Sequence, residues 1–278
     1  MKTLDLRPSP IAGTWYEDNP KKLAAQVDKL LIDAKSPPHE DEVTAVIVPH
    51  AGHRYSGAVA AHAFAALRGL APDLVVVISP FHNYTAHPLL TTAHQAYATP
   101  LGSVEVDQAA LAELQNQLDI PITAIVNDRE HSLEIELPFL QRVFTDGFKL
   151  LPIMIREQEE TIARKLGDAL AKMLTGKNAI LVASTDLSHF YDQKAANTLD
   201  HEMLKRFESF DPISIFQAEH SGKGYACGHG AVAAMLWASK SLGADKVQIL
   251  NYATSGDVTG DYSSVVGYGA GVVLKSKK

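Results

Sequence analysis

The sequence of 278 residues contains one cysteine, Cys227. A single cysteine cannot form an intrachain disulfide and fits a reducing compartment, so a cytoplasmic location is expected. Positive charge is also scarce, because 25 Lys and Arg stand against 32 Asp and Glu, which gives a formal net charge of −7. Nucleic-acid binding depends on clustered basic side chains, so nucleic acid is not an expected partner.

Long hydrophobic runs are missing as well. No apolar segment approaches the roughly 20 residues that a membrane-spanning helix needs, so no membrane association is expected. The first 20 residues carry charges at Asp5, Arg7, Glu17 and Asp18 and lack the apolar centre of a signal peptide. Hydrophobic residues still make up 46% of the chain, which is enough for a large core and typical of a globular protein.

Short β-branched runs alternate with helical patterns along the whole chain, which predicts an α/β fold without a domain boundary, over residues 1–278. Strands are expected near 43–48, 74–79, 122–126, 149–155, 179–184, 247–253 and 264–274. Helices are expected near 20–35, 57–70, 107–119, 132–144, 157–174, 193–208 and 228–242.

Three of the expected strands lead directly into polar clusters of the kind that binds metals or moves protons. The clusters contain His50, His82 and the segment 184–189, respectively. Ligands of α/β sheets gather just beyond the carboxyl ends of the strands, so these clusters are expected to share one site. Cys227, which precedes a helical pattern, is a natural fourth contributor.

His50, His82 and Cys227 form a candidate metal-binding set. Two imidazoles and one thiolate with an open position suit zinc, copper or ferrous iron. A position just before a helix would lower the pKa of the Cys227 thiol through the helix dipole. The competing interpretations are structural, hydrogen-bonded histidines and a buried, inert thiol.

Asp186 and His189 are the first candidates for proton transfer. Their spacing allows both to line one strand-end loop, with the carboxylate orienting an imidazole that acts as acid or base. The competing interpretation is plain capping, because Asp186 followed by Ser188 is also a common helix or turn cap.

Glu130 and His131 are a second acid/base candidate. Ser132 is a plausible helix N-cap with Glu134 and Glu136 in the first turn, so a solvated helix entry is the competing interpretation. Pro138 would either occupy an early turn of this helix or produce a bend in it.

Aromatic and basic side chains near the first histidine could form a wall of the pocket. Trp15 with Tyr16, and Arg54 with Tyr55, could stack on a ring or pair with an anionic group. Packing is the competing role for all four residues.

Taken together, these segments resemble the Memo-like family, whose fold is similar to class III extradiol, non-haem iron, dioxygenases. The likeness spans nearly the whole chain. It is carried by Ala12–Tyr16, Pro49–Gly52, Ser79–His82, Glu130–Pro138, Ser184–His189 and Cys227–Gly228. The resemblance implies one Memo-like domain with a mixed, largely parallel sheet and helices on both faces.

The resemblance also implies a metal-capable pocket. His50, His82 and Cys227 match the ligand positions of the family, and Asp186 and His189 match its neighbouring polar residues. The dioxygenases use two histidines and a carboxylate for ferrous iron. Because Cys227 stands where the carboxylate is expected, the resemblance argues against ordinary extradiol cleavage while keeping iron or copper as the favoured metal, with zinc as the alternative.

Three functional classes follow from these residues and the resemblance. The first is a non-haem metal-dependent oxidoreductase or metal-handling protein of a modification pathway, for which the family implies radical-SAM and Ammecr1-type proteins as partners. The second is a non-catalytic module that binds a peptide or small molecule in a vestigial enzyme pocket, with Glu130 and the wall residues contacting the ligand. The third, a zinc hydrolase, lacks a His-Glu-x-x-His signature in this sequence.

Overall fold

The structure is a computed structural model that describes residues 4–34 and 40–277. Its strands are β1 (Leu6–Arg7), β2 (Glu42–Val48), β3 (Leu74–Pro80), β4 (Leu89–Thr92), β5 (Ala96–Thr99), β6 (Gly102–Glu105), β7 (Ile122–Ile125), β8 (Lys149–Ile155), β9 (Ala179–Ser184), β10 (His189–Tyr191), β11 (Lys246–Thr254) and β12 (Val265–Lys275). Its helices are α1 (Pro20–Asp33), α2 (His53–Ala65), α3 (Gln108–Gln117), α4 (Leu137–Val143), α5 (Glu160–Leu174), α6 (Gln193–Glu208), α7 (Pro212–His220), α8 (His229–Ser241) and α9 (Gly256–Thr259).

The main sheet has the strand order β10-β12-β2-β9-β3-β8-β4-β7, and β11 also pairs with β12. The four central strands β2, β9, β3 and β8 run parallel to one another, as do β4 and β7. The pairings of β12 with its neighbours and of β4 with β8 are antiparallel. The expected mixed α/β fold is therefore confirmed, with its parallel pairing concentrated in the centre.

Both faces of this sheet are covered by helices. Ala45 and Ile47 of β2 point into one core, which α3, α5, α6, α7 and α8 complete. Val46 and Val48, the alternate residues of the same strand, point into a second core formed with α1, α2 and α4. Strands that are buried on both faces require nearly continuous apolar sequence, which explains the unbroken hydrophobic runs.

Several elements differ from the sequence-based expectation. The four-residue strands β4, β5 and β6, the short β10 and the helix α7 were not predicted, because such short segments carry little periodicity. Helix α1 ends at Asp33, and Lys35, its expected last residue, lies outside the described residues. Helix α2 begins at His53, four residues before the expected start, directly after the turn that contains His50.

The predicted helix start at Ser132 is wrong. A short 3-10 turn, Glu134–Glu136, precedes α4, and no helix begins at Ser132. The Ser132 hydroxyl instead donates a 2.6 Å hydrogen bond to the carbonyl of Pro80 at the end of β3. A long-range hydrogen bond has therefore replaced the local cap that the sequence favoured.

The order of the central strands brings three chemically important segments together. Strands β2, β9 and β3 are parallel neighbours, so the segments that follow their carboxyl ends lie at the same edge of the sheet. These segments carry His50, Asp186 and His82. Within the described ranges, no helix is both long and apolar enough to cross a membrane.

Candidate metal site

Three histidine side chains, His50, His82 and His131, converge at this edge of the sheet. Each offers one ring nitrogen, and these nitrogens lie within 4.8 Å of one another. The rings of His82 and His131 stack with their centroids 4.8 Å apart, and His50 meets both edge-on, at 5.3 and 5.4 Å. Three imidazole nitrogens at such distances have the composition and spacing of a transition-metal site.

His50 is held from its outer side, so that its inner nitrogen faces the cluster. Its Nδ1 lies 2.9 Å from the Ser184 hydroxyl at the end of β9. Its backbone N–H donates a 2.8 Å hydrogen bond to the carboxylate of Asp186. Burial, followed by the charges of His131 and His82, keeps the pKa of His50 well below its ordinary value. The ring is therefore neutral, as metal binding requires.

His82 is held by the carboxylate of Glu130. The Nδ1–H of His82 donates to Glu130 at 2.9 Å, and the backbone N–H of His82 donates to the other carboxylate oxygen at 2.6 Å. Burial alone would raise the pKa of Glu130, but the hydrogen bond from His82 and the charges of His82 and His131 lower it. A carboxylate that holds the outer nitrogen of a histidine is the usual partner of a metal-binding imidazole.

His131 completes the cluster from the loop that follows β7. Its Nδ1 lies 3.2 Å from Glu130, and the indole of Trp15 packs against its ring with centroids 4.1 Å apart. Burial lowers the pKa of His131 to about 4, although the negative charge of Glu130 opposes this change. His131, predicted as an acid/base residue, therefore lies beside the two histidines that were predicted as ligands.

Cys227 contacts His50, but among the described residues the cluster of converging ligand atoms contains only the three histidines. Its Sγ lies 3.1 Å from Nε2 of His50 and accepts a hydrogen bond from the backbone N–H of Asp186 at 3.2 Å. Burial and the negative charge of Asp186 raise the pKa of the thiol well above its ordinary value. The expectation of a lowered thiol pKa is therefore wrong, because the cost of burying a thiolate exceeds the effect of the helix N-terminus.

Gly228 allows the Cys227 loop to lie against the end of β9. A Cβ atom at this position would lie 2.3 Å from the carbonyl oxygen of Ser184. The backbone N–H of Gly228 donates to the Thr185 hydroxyl at 2.9 Å, which fastens the loop there. Glycine is required at this position because no side chain fits between the two segments.

Asp186 supports His50 and does not cap a helix. Besides accepting from the His50 backbone, its carboxylate lies 4.0 Å from Nε2 of the His50 ring. Burial raises the pKa of Asp186 to about 7, against the effect of backbone hydrogen bonds from His50 and Ala51. A carboxyl group with this pKa can hold or release a proton near neutral pH.

His189 has a fixed tautomer. Its Nδ1–H donates a 2.8 Å hydrogen bond to the carbonyl of Leu187, so Nε2 carries the free lone pair. Burial lowers the pKa of His189, the Leu187 carbonyl opposes this, and the charge of His82 lowers it further. Nε2 is therefore the nitrogen of His189 that can accept a proton.

The expected wall residues occupy different places. Trp15 reaches the cluster through its contact with His131 while 37% of the residue remains exposed. Arg54 lies over the ring of Tyr55 at 5.6 Å, on the exposed start of α2. Glu130, predicted to bind substrate, is buried and occupied by hydrogen bonds to His82 and its own loop.

Two groups of supporting residues escaped the sequence analysis as parts of this site. Ser184 and Glu136 are buried behind His50 and hydrogen bond to each other at 2.9 Å. Arg7, in β1, forms a bidentate ion pair with Asp128 and donates a 2.7 Å hydrogen bond to the carbonyl of Glu130. A single arginine near the start of the sequence gives no signal of a contact with a residue 121 positions away.

Comparisons with known proteins agree with this architecture. A family model described as Memo-like protein matches residues 7–272. A MEMO1 family protein from Nitrosopumilus maritimus is 34% identical over 270 residues, which cover 95% of this chain and 98% of the relative. One from Methanococcoides burtonii is 36% identical over 270 residues, which cover 96% of this chain and 100% of the relative.

A crystal structure of an uncharacterized protein from Escherichia coli K12, JW3007, is also similar. The TM-score is 0.54 at 16% sequence identity, and the match covers 82% of this chain and 99% of the other. At this identity the likeness supports the fold alone.

Proposed function

This chain belongs to the Memo-like protein family, and on that premise we propose that it binds one transition-metal ion at His50, His82 and His131. The observation that carries this proposal is the convergence of three ring nitrogens within 4.8 Å. The outer nitrogens of His50 and His82 contact Ser184 and Glu130, an arrangement that turns the inner nitrogens toward the cluster. The inner nitrogen of His50 also contacts the Cys227 thiol at 3.1 Å, which a metal ion would displace.

The donor set is compatible with a redox-active metal. Neutral imidazoles suit iron, copper and zinc, and the sulfur of Cys227 lies 3.1 Å from Nε2 of His50. Iron or copper would supply electron-transfer or oxygen chemistry, and zinc would supply Lewis acidity alone. We propose iron or copper, in keeping with the likeness to dioxygenases, and a role in redox chemistry or metal handling within a modification pathway.

His189 and Asp186 would handle protons beside this site. Nε2 of His189 is an acceptor because its Nδ1–H is committed to Leu187. Asp186, with its pKa raised to about 7, can exchange a proton next to His50. The segment that follows β9 therefore offers a base, His189, and an acid, Asp186, beside the histidine cluster.

Metal analysis of protein purified without metal-affinity resin tests the first part of the proposal. We expect stoichiometric iron or copper in the parent protein and loss of most of it in His82→Ala. His201→Ala is a matched control, because His201 is exposed and hydrogen bonds to Asn197 in α6. Absence of stoichiometric iron, copper or zinc from the parent protein, even after reconstitution, would contradict the proposal.

A second pair of variants identifies the third ligand. The geometry favours His131, whereas the family resemblance implies Cys227. If His131 is the ligand, His131→Ala lowers metal affinity strongly, while Cys227→Ser changes it much less. The opposite order would assign the third position to Cys227.

Oxygen uptake with a panel of catechols tests for turnover. If the site is catalytic, the parent protein consumes oxygen, and His189→Ala abolishes most of the uptake while keeping its metal. Equal metal content in both proteins shows that the variant affects proton transfer and not occupancy.

The second candidate function is ligand binding without turnover. It is favoured by exposed aromatic residues near the histidines, namely Trp15 against His131 and Tyr225 with its ring 6.0 Å from His189. Calorimetric binding of catechols or phosphorylated peptides without oxygen uptake would support this function. Cooperation with radical-SAM and Ammecr1-type proteins is a further prediction from the resemblance, which co-purification can test.

A further inference from the structure

The hydroxyl of Ser184 sits between three buried polar groups behind the metal site. Its Oγ lies 2.9 Å from Nδ1 of His50, 2.7 Å from the carbonyl oxygen of Ser132 and 2.9 Å from Oε1 of Glu136. Ser184, Ser132 and Glu136 are each at most 1% exposed. Their hydrogen-bonding capacity must therefore be met within this network, since an unpaired buried polar group is costly.

A hydroxyl has one hydrogen and two lone pairs, which limits how the three contacts can be made. The Ser132 carbonyl can only accept and is the nearest of the three, so it takes the hydrogen of Ser184. The other two groups must then donate to the lone pairs of Oγ. His50 does so with Nδ1–H, and Glu136 does so only as a protonated carboxylic acid.

The surroundings of Glu136 agree with a neutral acid. Among the described residues, no Lys, Arg or His side chain forms an ion pair with Glu136. Burial raises the pKa of Glu136 well above its ordinary value, the Ser184 hydrogen bond opposes this, and the charge of Asp186 raises it further. An ionised carboxylate without a partner at this depth would be strongly unfavourable.

We infer that Ser184 and a protonated Glu136 together lock His50 in the Nδ1–H tautomer, so that its Nε2 lone pair points into the histidine cluster. The contact of Nε2 with Sγ of Cys227, at 3.1 Å, fits this tautomer because the thiol can donate to the lone pair. Asp186 donates its backbone N–H to the same sulfur at 3.2 Å, and its carbonyl oxygen, 3.6 Å from the sulfur, is a more distant acceptor for the S–H than Nε2 of His50.

By fixing the tautomer of His50, Ser184 and Glu136 act as positioning residues. A free imidazole exchanges between two tautomers, and only one of them presents a lone pair at Nε2. Fixing that tautomer before metal arrives removes a cost from binding, and partners of this kind typically change metal affinity by about 10- to 100-fold. This consequence rests on the proposed metal-binding function, whereas the tautomer belongs to the metal-free protein.

Nitrogen NMR of ¹⁵N-histidine-labelled, metal-free protein tests the tautomer directly, with His50→Gln used to identify the His50 signals. We expect the pattern of a neutral ring protonated at Nδ1. In Ser184→Ala we expect a mixture of both tautomers. A parent protein with His50 protonated at Nε2 would overturn the inference, whether or not the chain binds metal.

Infrared difference spectra between the parent protein and Glu136→Gln test the carboxylic acid. Recorded above the pKa of Asp186, they should contain the carbonyl stretch of one protonated carboxyl group that the variant lacks. The glutamine can still donate to Ser184, so the His50 tautomer should be unchanged. A carboxylate band in place of the protonated carboxyl band would overturn the assignment of Glu136.

Metal titration against a chromophoric chelator, with zinc as the probe, tests the consequence. Ser184→Ala should weaken zinc binding by about 10- to 100-fold. Ser56→Ala is the matched control, because Ser56 is equally buried and donates to the carbonyl of Ala51 without contacting a histidine of the cluster. Equal losses in both variants would overturn the positioning role, and a parent protein that binds no zinc, iron or copper would count against the proposed function alone.

Discussion

The carboxylate of Glu130 accepts two hydrogen bonds from His82, one from the ring Nδ1–H at 2.9 Å and one from the backbone N–H at 2.6 Å. The same carboxylate accepts backbone hydrogen bonds from His131 and Ser132. One side chain therefore fixes both the loop after β3 and the loop after β7. Because each loop carries one histidine of the cluster, Glu130 sets the distance between them.

Glu130→Gln should weaken metal binding by about 10- to 100-fold, because an amide cannot accept hydrogen bonds on both of its polar atoms. Chelator competition measures the dissociation constant. Glu113→Gln serves as the control, since Glu113 lies in α3, away from the site, and forms an exposed ion pair with Lys177. Unchanged affinity in Glu130→Gln would show that the carboxylate does not orient His82.

Arg7→Met should lower the free energy of unfolding by about 3–5 kcal/mol, because Asp128 and Glu134 would be left buried without their cation. Chemical denaturation measures this loss. Arg142→Met removes an exposed ion pair with Asp28 and should cost no more than about 1 kcal/mol. Similar losses in the two variants would contradict the buried role of Arg7.

Gly228→Ala should destabilise the fold by about 1–3 kcal/mol, because its Cβ would meet backbone and side-chain atoms of β9 and Thr185. The shifted loop should also expose Cys227, so its reaction with a disulfide reagent should become faster. Gly57→Ala in α2 is the control, because the nearest atom to its Cβ is the flexible tip of Leu30 at 3.1 Å. A thiol reaction rate equal to that of the parent protein would contradict this explanation.

Glu219 should make stability depend on pH. Burial raises its pKa from 4.5 to about 7, against the hydrogen bond from the Ala226 backbone. Between these pH values the folded chain keeps a proton that the unfolded chain has lost, so stability falls as pH rises. Glu219→Gln should remove part of this fall, on the order of 1 kcal/mol because the group is partly exposed. Unfolding profiles that stay parallel from pH 4.5 to 7 would contradict the prediction.

The local sequence patterns were sufficient to predict the main strands and the segments that carry His50 and His82. The runs before His50 and His82 are mostly apolar, because nearly all of β2 and the whole of β3 are buried, and such runs are recognisable without any tertiary information. Ser132 shows the limit of this approach. Its capping pattern is a local preference, and the Pro80 carbonyl, 52 positions away, satisfies the hydroxyl instead.

The sequence by itself determined the family, the mixed α/β fold and the placement of His50 and His82 at one edge of the sheet, because strand periodicity and the residues that follow a strand are local properties. Only the tertiary structure decided that His131 lies beside them, that Cys227 is a partly buried thiol with a raised pKa, and that Arg7, Ser184 and Glu136 hold the site. Those outcomes depend on burial and on hydrogen bonds between distant segments, and neither is encoded in the spacing of residues along the chain.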